Sequence, residues 1–326
     1  MTIFEKLTRF VQKVFKTSLE IFLEALKLSP NAQGYVSGSI TELLLKKKLE
    51  EEYEFEVKRI KEKWEGRKHP NHHGDFYFRK PDGNHWYVME SKGVKSNSED
   101  WHKLFNYDNL KGFLITHADK ITWLDHENDV EPQITHWINA NLPKFQNEYA
   151  QNLYKYDEVQ GYVKHPPTRE TEKSRAMEAL RNLTREQISK MIDERLEYVM
   201  SKVKVLETHF VAGTSGLSGR TQATPRKGEF NAVSVDIFLR YPEHKFVFAN
   251  PQHLESSGDD PNHLQQNYIM GFVFMDEQGI PNLSITEEWC EDFSDVYETL
   301  NPADSVNEED MQVDNRYIVA SETDEE

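Results

Sequence analysis

Asp82-Gly83, preceded by Pro81 and followed by Asn84, separates two runs rich in aromatic residues, Asp75 to Arg79 and His85 to Met89. Asp-Gly between such runs is the strongest short-range signal for a β-hairpin. If Asp82-Gly83 forms a two-residue turn, residue i faces residue 165 minus i, which sets Asp75 opposite Glu90. Directly opposed side chains on one face stand about 5 Å apart. Alternation along the strand then points Glu90 and Lys92 to the same side and Ser91 to the other. The pattern predicts two carboxylates and one ammonium gathered on one surface.

These residue types have a chemical reason to meet. Two facing carboxylates repel and raise one another's pKa unless a cation lies between them, and hard oxygen ligands with positions left for water suit Mg²⁺. Such an ion polarises a phosphoryl oxygen and acidifies bound water, and an adjacent ammonium stabilises charge developing on the phosphate. Phosphodiester hydrolysis needs that set of groups. Glu90 and Lys92 also follow the apolar run Trp86-Tyr87-Val88-Met89, so the charges arrive at the end of a core strand, where they usually serve a purpose.

Asp75, Glu90-Ser91-Lys92 and the upstream Glu42 resemble the PD-(D/E)xK nuclease superfamily, which includes type II restriction endonucleases. Gly74 stands where the motif's loosely held proline would be. The resemblance covers roughly residues 34 to 120. It implies that Asp75 and Glu90 hold Mg²⁺, that Lys92 assists the attacking water, and that Glu42, on a preceding helix, joins the metal shell. Ser39-Ile40-Thr41-Glu42 also reads as a capping box, in which Glu42 would only bond the backbone at its helix start.

The single cysteine, Cys290, excludes an intrachain disulfide, and no apolar run is long enough for a membrane span or a signal sequence. A cytoplasmic protein is expected. The net charge of −17 argues against nucleic-acid binding at first sight, but residues 303 to 326 carry nine acidic residues against Arg316 alone, a net of −8. Net charge governs long-range attraction, whereas a local basic stripe can still contact phosphates.

The pattern along the chain predicts an α/β fold, a restriction-endonuclease-like mixed sheet flanked by helices, with a second α/β region. Residues 1–153 would form the nuclease-like domain, 154–172, with Pro166-Pro167, a linker, 173–300 the second region, and 301–326 an acidic flexible tail. Apolar residues from Phe4 to Leu26 recur at helical spacing, so residues 3 to 28 read as one amphipathic helix. Pro30-Asn31 reads as a break, Ser39 as the start of a helix to about Arg67, Trp101 to Phe113 as a helix and Lys120 to Leu124 as a strand. Thr184-Arg-Glu-Gln187 is a capping box opening a helix to about Leu206. His69, His72 and His73 share one loop without cysteine partners, which does not suit zinc.

Residues 213 to 228 are both glycine-rich and basic without matching a Walker loop. Arg220, Gln222, Arg226 and Lys227 are candidate DNA contacts, suited to phosphates and base edges. A second hairpin follows, residues 231 to 240 and 246 to 252. A three-residue turn centred on Glu243 would put Asp236 opposite Asn250, with Asn-Pro-Gln where the first hairpin has Glu-Ser-Lys. That resembles a degenerate second core. Together these readings predict a Mg²⁺-dependent endonuclease acting on double-stranded DNA as a homodimer, most simply a type II restriction enzyme. A non-catalytic nucleic-acid-binding or scaffold protein of the same fold, and an RNA-directed defence nuclease, remain as alternatives.

Overall fold

Both hairpins belong to one sheet. The computed structural model describes residues 2–61, 73–95, 107–142, 183–210, 224–258 and 260–315. Strands β1 (Glu56–Arg59), β2 (Phe76–Arg79) and β3 (Tyr87–Gly93) form an antiparallel meander. After β4 (Val203–His209), β5 (Ala232–Asp236) lies parallel to β3 and β6 (Phe246–Ala249) antiparallel to β5, giving the order β1-β2-β3-β5-β6. The hairpin carrying Asp236 therefore completes the sheet begun by the hairpin carrying Glu90. It does not build a second core.

The fold is mixed α/β, a central mixed sheet flanked by helices. On one face Phe76, Phe78, Met89, Ala232 and Phe248 pack beneath Leu45 and Leu49 of a long helix. On the other, Tyr77, Val88, Val233, Val235 and Val247 pack against Leu206, Met270 and Val273. A sheet covered on both faces explains why Trp86 to Met89 reads as an unbroken apolar run. The covering layer is a second, three-stranded sheet of β4, β9 (Asn267–Met275) and β10 (Pro281–Ile285), with a short ribbon of β7 (Ser256–Ser257) and β8 (Asp260–Leu264) beside it. Its outer face carries helices α4 (Tyr107–Thr116), α5 (Val130–Asn141) and α6 (Arg185–Met200). α7 (Phe293–Tyr297) packs Phe293 onto Phe248 and Phe78.

Several elements differ from the sequence expectation. The opening stretch is two helices, α1 (Ile3–Phe15) and α2 (Leu19–Leu28), broken at Lys16 with φ 55° and restarted by a Ser18 cap. Pro30 does not break a helix but starts one. α3 runs from Pro30 to Glu51 with Ser29 as its cap, because a proline in the first turn gives up no intrahelical bond. Glu42 therefore lies mid-helix and the Ser39 capping box does not form. α3 also stops well short of Arg67. The pairs Lys46–Glu50, Lys47–Glu51 and Lys48–Glu52 support its last turns, Glu54 adopts φ 59°, and Glu56 onward is β1.

Lys120 to Leu124 is no strand. Residues Ala118–Lys120 form a 3₁₀ turn. The capping box at Thr184 forms as expected, but α6 ends at Met200, since Val203 to His209 is drawn into pairing with β9. Residues 301 to 315 are not a free tail. Val306 pairs with Trp86 just before β3, while Val313 pairs with Ile60 and the Asp314 amide donates to the Arg59 carbonyl, so the segment is tied to the sheet and its last described residues lie along the open edge at the end of β1. Capping an edge strand this way satisfies its unpaired backbone groups. The expected linker, residues 154–172, lies outside the described residues. Among the described residues no helix is long and apolar enough to cross a membrane.

Candidate active site at the end of the central strands

The register of the first hairpin is the expected one. Phe76, Tyr77 and Phe78 pair with Met89, Val88 and Tyr87. The two-residue turn sits one position earlier than expected, however. Its closing bond runs from the Gly83 amide to the Lys80 carbonyl, 2.9 Å, which makes Pro81 and Asp82 the central residues. Proline's fixed φ suits the first of these positions.

Pairing stops one residue before Asp75. The Asp75 amide still donates to Met89 O, 2.9 Å, while the chain bends at Gly74 and leads to His73, whose amide bonds the Glu229 carbonyl at 2.9 Å. At the bend a Cβ on residue 74 would stand 2.5 Å from Val88 Cγ1 and 2.8 Å from Met89 O. Only glycine lets the chain cross β3 that closely, which is why the residue before the aspartate is Gly74. The withdrawn strand would leave the Ser91 amide without an acceptor, and Asp75 Oδ2 accepts it instead, at 2.7 Å. That bond pins the carboxylate beside β3.

Glu90 and Lys92 follow on β3, and their side chains form an ion pair with 16% and 25% of their side-chain surface exposed. Burial pushes the Asp75 carboxyl up, the nearby Glu90 charge pushes it further, and the Ser91 amide, Lys92 and Arg59 pull back, leaving it at about 7. Burial acts to lower Lys92, but Glu90, Asp75 and Glu42 outweigh it and hold the ammonium above its usual range. Asp75, Glu90 and Lys92 thus lie close enough for each carboxylate's charge to shift its neighbours.

Glu42 reaches the same neighbourhood from α3, where it pairs with Arg59 at 2.7 Å. Arg59 is the residue that sequence reasoning missed. It sits at the end of β1, in a stretch read as helix, and recognising that strand was the signal needed to find it. The end of β1, the residue before β2, the end of β3 and the middle of α3 thus bring two cations and three carboxylates within electrostatic reach of one another. Among the described residues, no group of three His, Cys, Asp or Glu side chains is arranged to hold a metal ion. Mg²⁺ needs fewer protein ligands, since it commonly uses one or two carboxylates and completes its shell with water and substrate phosphate. A half-buried, mutually repelling Asp75–Glu90 pair fits that demand.

Asp236 lies elsewhere than expected. It pairs with Phe246, and Asn250 lies beyond the other end of the ladder. The reason is the connection between the strands. Ile237 O accepts the amides of both Arg240 and Tyr241, and the Ile237 amide reaches Lys245 O, so nine residues intervene where three were expected. The buried Asp236 carboxylate accepts from Thr41 Oγ1 at 2.8 Å and the Phe238 amide at 3.0 Å, and contacts His244 Nδ1 at 2.6 Å. It ties α3 to the sheet.

Of the basic loop, Arg220 and Gln222 lie outside the described residues. Arg226 is exposed, and Lys227 spends its ammonium on the carbonyls of Leu254, 2.5 Å, and Gln252, 3.4 Å. Both border a cleft of about 1120 Å³ together with Asn231, Gln252 and Asp304, whose walls do not include Asp75, Glu90 or Lys92. Comparison with family models, with curated proteins and with solved structures found no match for this chain.

Proposed function

We propose that this chain is a Mg²⁺-dependent endonuclease of the PD-(D/E)xK type, cutting double-stranded DNA in the manner of a type II restriction enzyme. The observation that carries the reading is the placement of Asp75, whose carboxylate accepts the Ser91 amide at 2.7 Å and so stands beside the Glu90–Lys92 ion pair, with burial and the Glu90 charge pushing it up. Two carboxylates so placed are costly unless a cation is meant to join them.

Asp75 and Glu90 would hold the ion, which when bound supplies a Lewis acid for a phosphoryl oxygen and a more acidic water. Asp75 has one oxygen fixed by the Ser91 amide, which would leave the other for the ion. Glu42 is held by Arg59 and acts by keeping that guanidinium in place. Lys92, held protonated by its acidic neighbours, acts as a donor to the attacked phosphate and not as the base. Arg226 is the described candidate for DNA phosphate contact. Cutting both strands with one site per chain calls for two copies related by two-fold symmetry.

The test is cleavage of supercoiled plasmid by the purified protein with Mg²⁺, Mn²⁺ or EDTA, beside Asp75→Asn, Glu90→Gln and Lys92→Ala. Metal-dependent nicking or linearisation should fall by at least about 100-fold in each variant, while Lys92→Ala keeps its DNA affinity. Absence of wild-type cleavage of DNA and RNA with either metal, or full activity in Glu90→Gln, overturns the reading.

A further inference from the structure

Thirteen of the seventeen large hydrophobic side chains exposed among the described residues lie between Ile3 and Leu43, on α1, α2 and the first two turns and middle of α3. On α1, Phe4, Leu7, Phe10 and Val14 recur at helical spacing, yet only Val11 of that helix is buried, and only Leu19 of α2. Phe4 is 64% exposed, Leu28 75% and Tyr35 81%. Helices this short do not persist on their own in water, so a fully formed arm without a core of its own needs a cover.

We propose that residues 3 to 43 form the interface with a second copy of this chain. The exposed parts of these side chains amount to on the order of 1,000 Å². Monomers rarely carry an apolar patch above roughly 300–600 Å², and a stable interface takes about 800 Å² from each partner. The area matches a dimer. Charge also favours self-association. α1 with Lys16 carries Glu5 against Lys6, Arg9, Lys13 and Lys16, a net of +3, whereas α2 carries Glu20 and Glu24 against Lys27, a net of −1. In a two-fold arrangement, α1 of one copy meets α2 of the other with opposite signs and apolar stripes facing, and each contact occurs twice. An anionic membrane is the poorer occupant, because α2 would bring its glutamates to the surface and the whole chain is at −17.

The need for two copies rests on the nuclease reading, but the surface is read from exposure and is tested by mass, so either can fail alone. Light scattering on the full-length protein from about 1 to 50 µM should give twice the chain mass of 38.3 kDa. Phe4→Glu with Phe10→Glu alters two side chains that are exposed in the single chain, so the packed core should be kept, read by an unchanged near-ultraviolet circular dichroism spectrum, while the dimer Kd rises about 100-fold. As an independent measure, amide exchange across residues 3 to 28 of the wild type should quicken on dilution. A monomer at all concentrations overturns the proposal, as does a dimer indifferent to both substitutions. Monomeric protein that binds phosphatidylserine vesicles through Phe4 and Phe10 would reassign the surface to lipid.

Discussion

Asp75→Asn should make the metal-free protein more stable, and only above acid pH. The carboxyl titrates near 3.8 in an unfolded chain and at about 7 in the folded one. Its folded pKa is raised, so the fold bears no penalty from it below about 3.8, loses stability as pH rises toward 7, and bears the full cost above that. The difference sets a ceiling of about 4 kcal/mol, and water reaching the partly exposed group reduces this to about 1–3 kcal/mol. Asparagine keeps an oxygen to accept the Ser91 amide but cannot ionise. Urea denaturation in EDTA at pH 4, 6 and 8 should therefore give matching midpoints for wild type and variant at pH 4 and a growing advantage for the variant at pH 6 and 8, with unchanged slope. A variant that is less stable at pH 8, or a gap independent of pH, refutes the argument that burial and Glu90 raise this carboxyl. Adding Mg²⁺ should then lift wild type and not the variant, as ligand linkage requires.

Two further outcomes follow from the local geometry. Gly74→Ala places a methyl group 2.8 Å from the Met89 carbonyl, which is backbone and cannot yield cheaply; a loss of about 1–3 kcal/mol is expected, read by thermal unfolding, and a neutral result would mean that the crossing over β3 is looser than described. Arg59→Ala leaves Glu42 partly buried without its cation, which should cost about 1–3 kcal/mol, whereas the double change Arg59→Ala with Glu42→Ala should recover part of the loss in a double-mutant cycle.

What the sequence revealed of the site, and what it concealed, follows from the range of the forces involved. The register of β2 on β3 was legible because alternation and the intervening turn are local properties, and it survived a mistake about which residues form the turn: Pro81-Asp82 and Asp82-Gly83 differ by one position, yet the apolar faces of Tyr77 and Val88 admit only one pairing. The capping box at Thr184 was legible for the same reason. Ser39-Ile40-Thr41-Glu42 carried an equally good local signal and failed, because a helix already under way from Pro30 has no free amides there to cap. Arg59 was hidden because Val57 fits a helical stripe as well as a strand, and the choice was made by pairing with Phe78, a contact twenty-one residues away.

The hairpin carrying Asp236 shows the limit most clearly. Its likeness to the first hairpin is physical: each pairs an apolar strand with another and ends on a carboxylate. Local pattern therefore suggested a copy. Parallel strands, however, cannot be joined by a tight turn and need a long connection that leaves the sheet and returns; between Gly93 and Ala232 that connection holds α4, α5, α6 and β4. Two hairpins separated by such an excursion look like two cores in sequence and are one sheet in space. The pairing of Glu90 with Val233 and Lys92 with Val235 buries the far side of β3, so the charged pair at its end is anchored by both halves of the chain. Asp236, one strand over and capped by Thr41 of α3, helps to fix the helix that carries Glu42. The second hairpin thus contributes to the candidate site by holding it in place, a role for which a second set of metal ligands would be of no use.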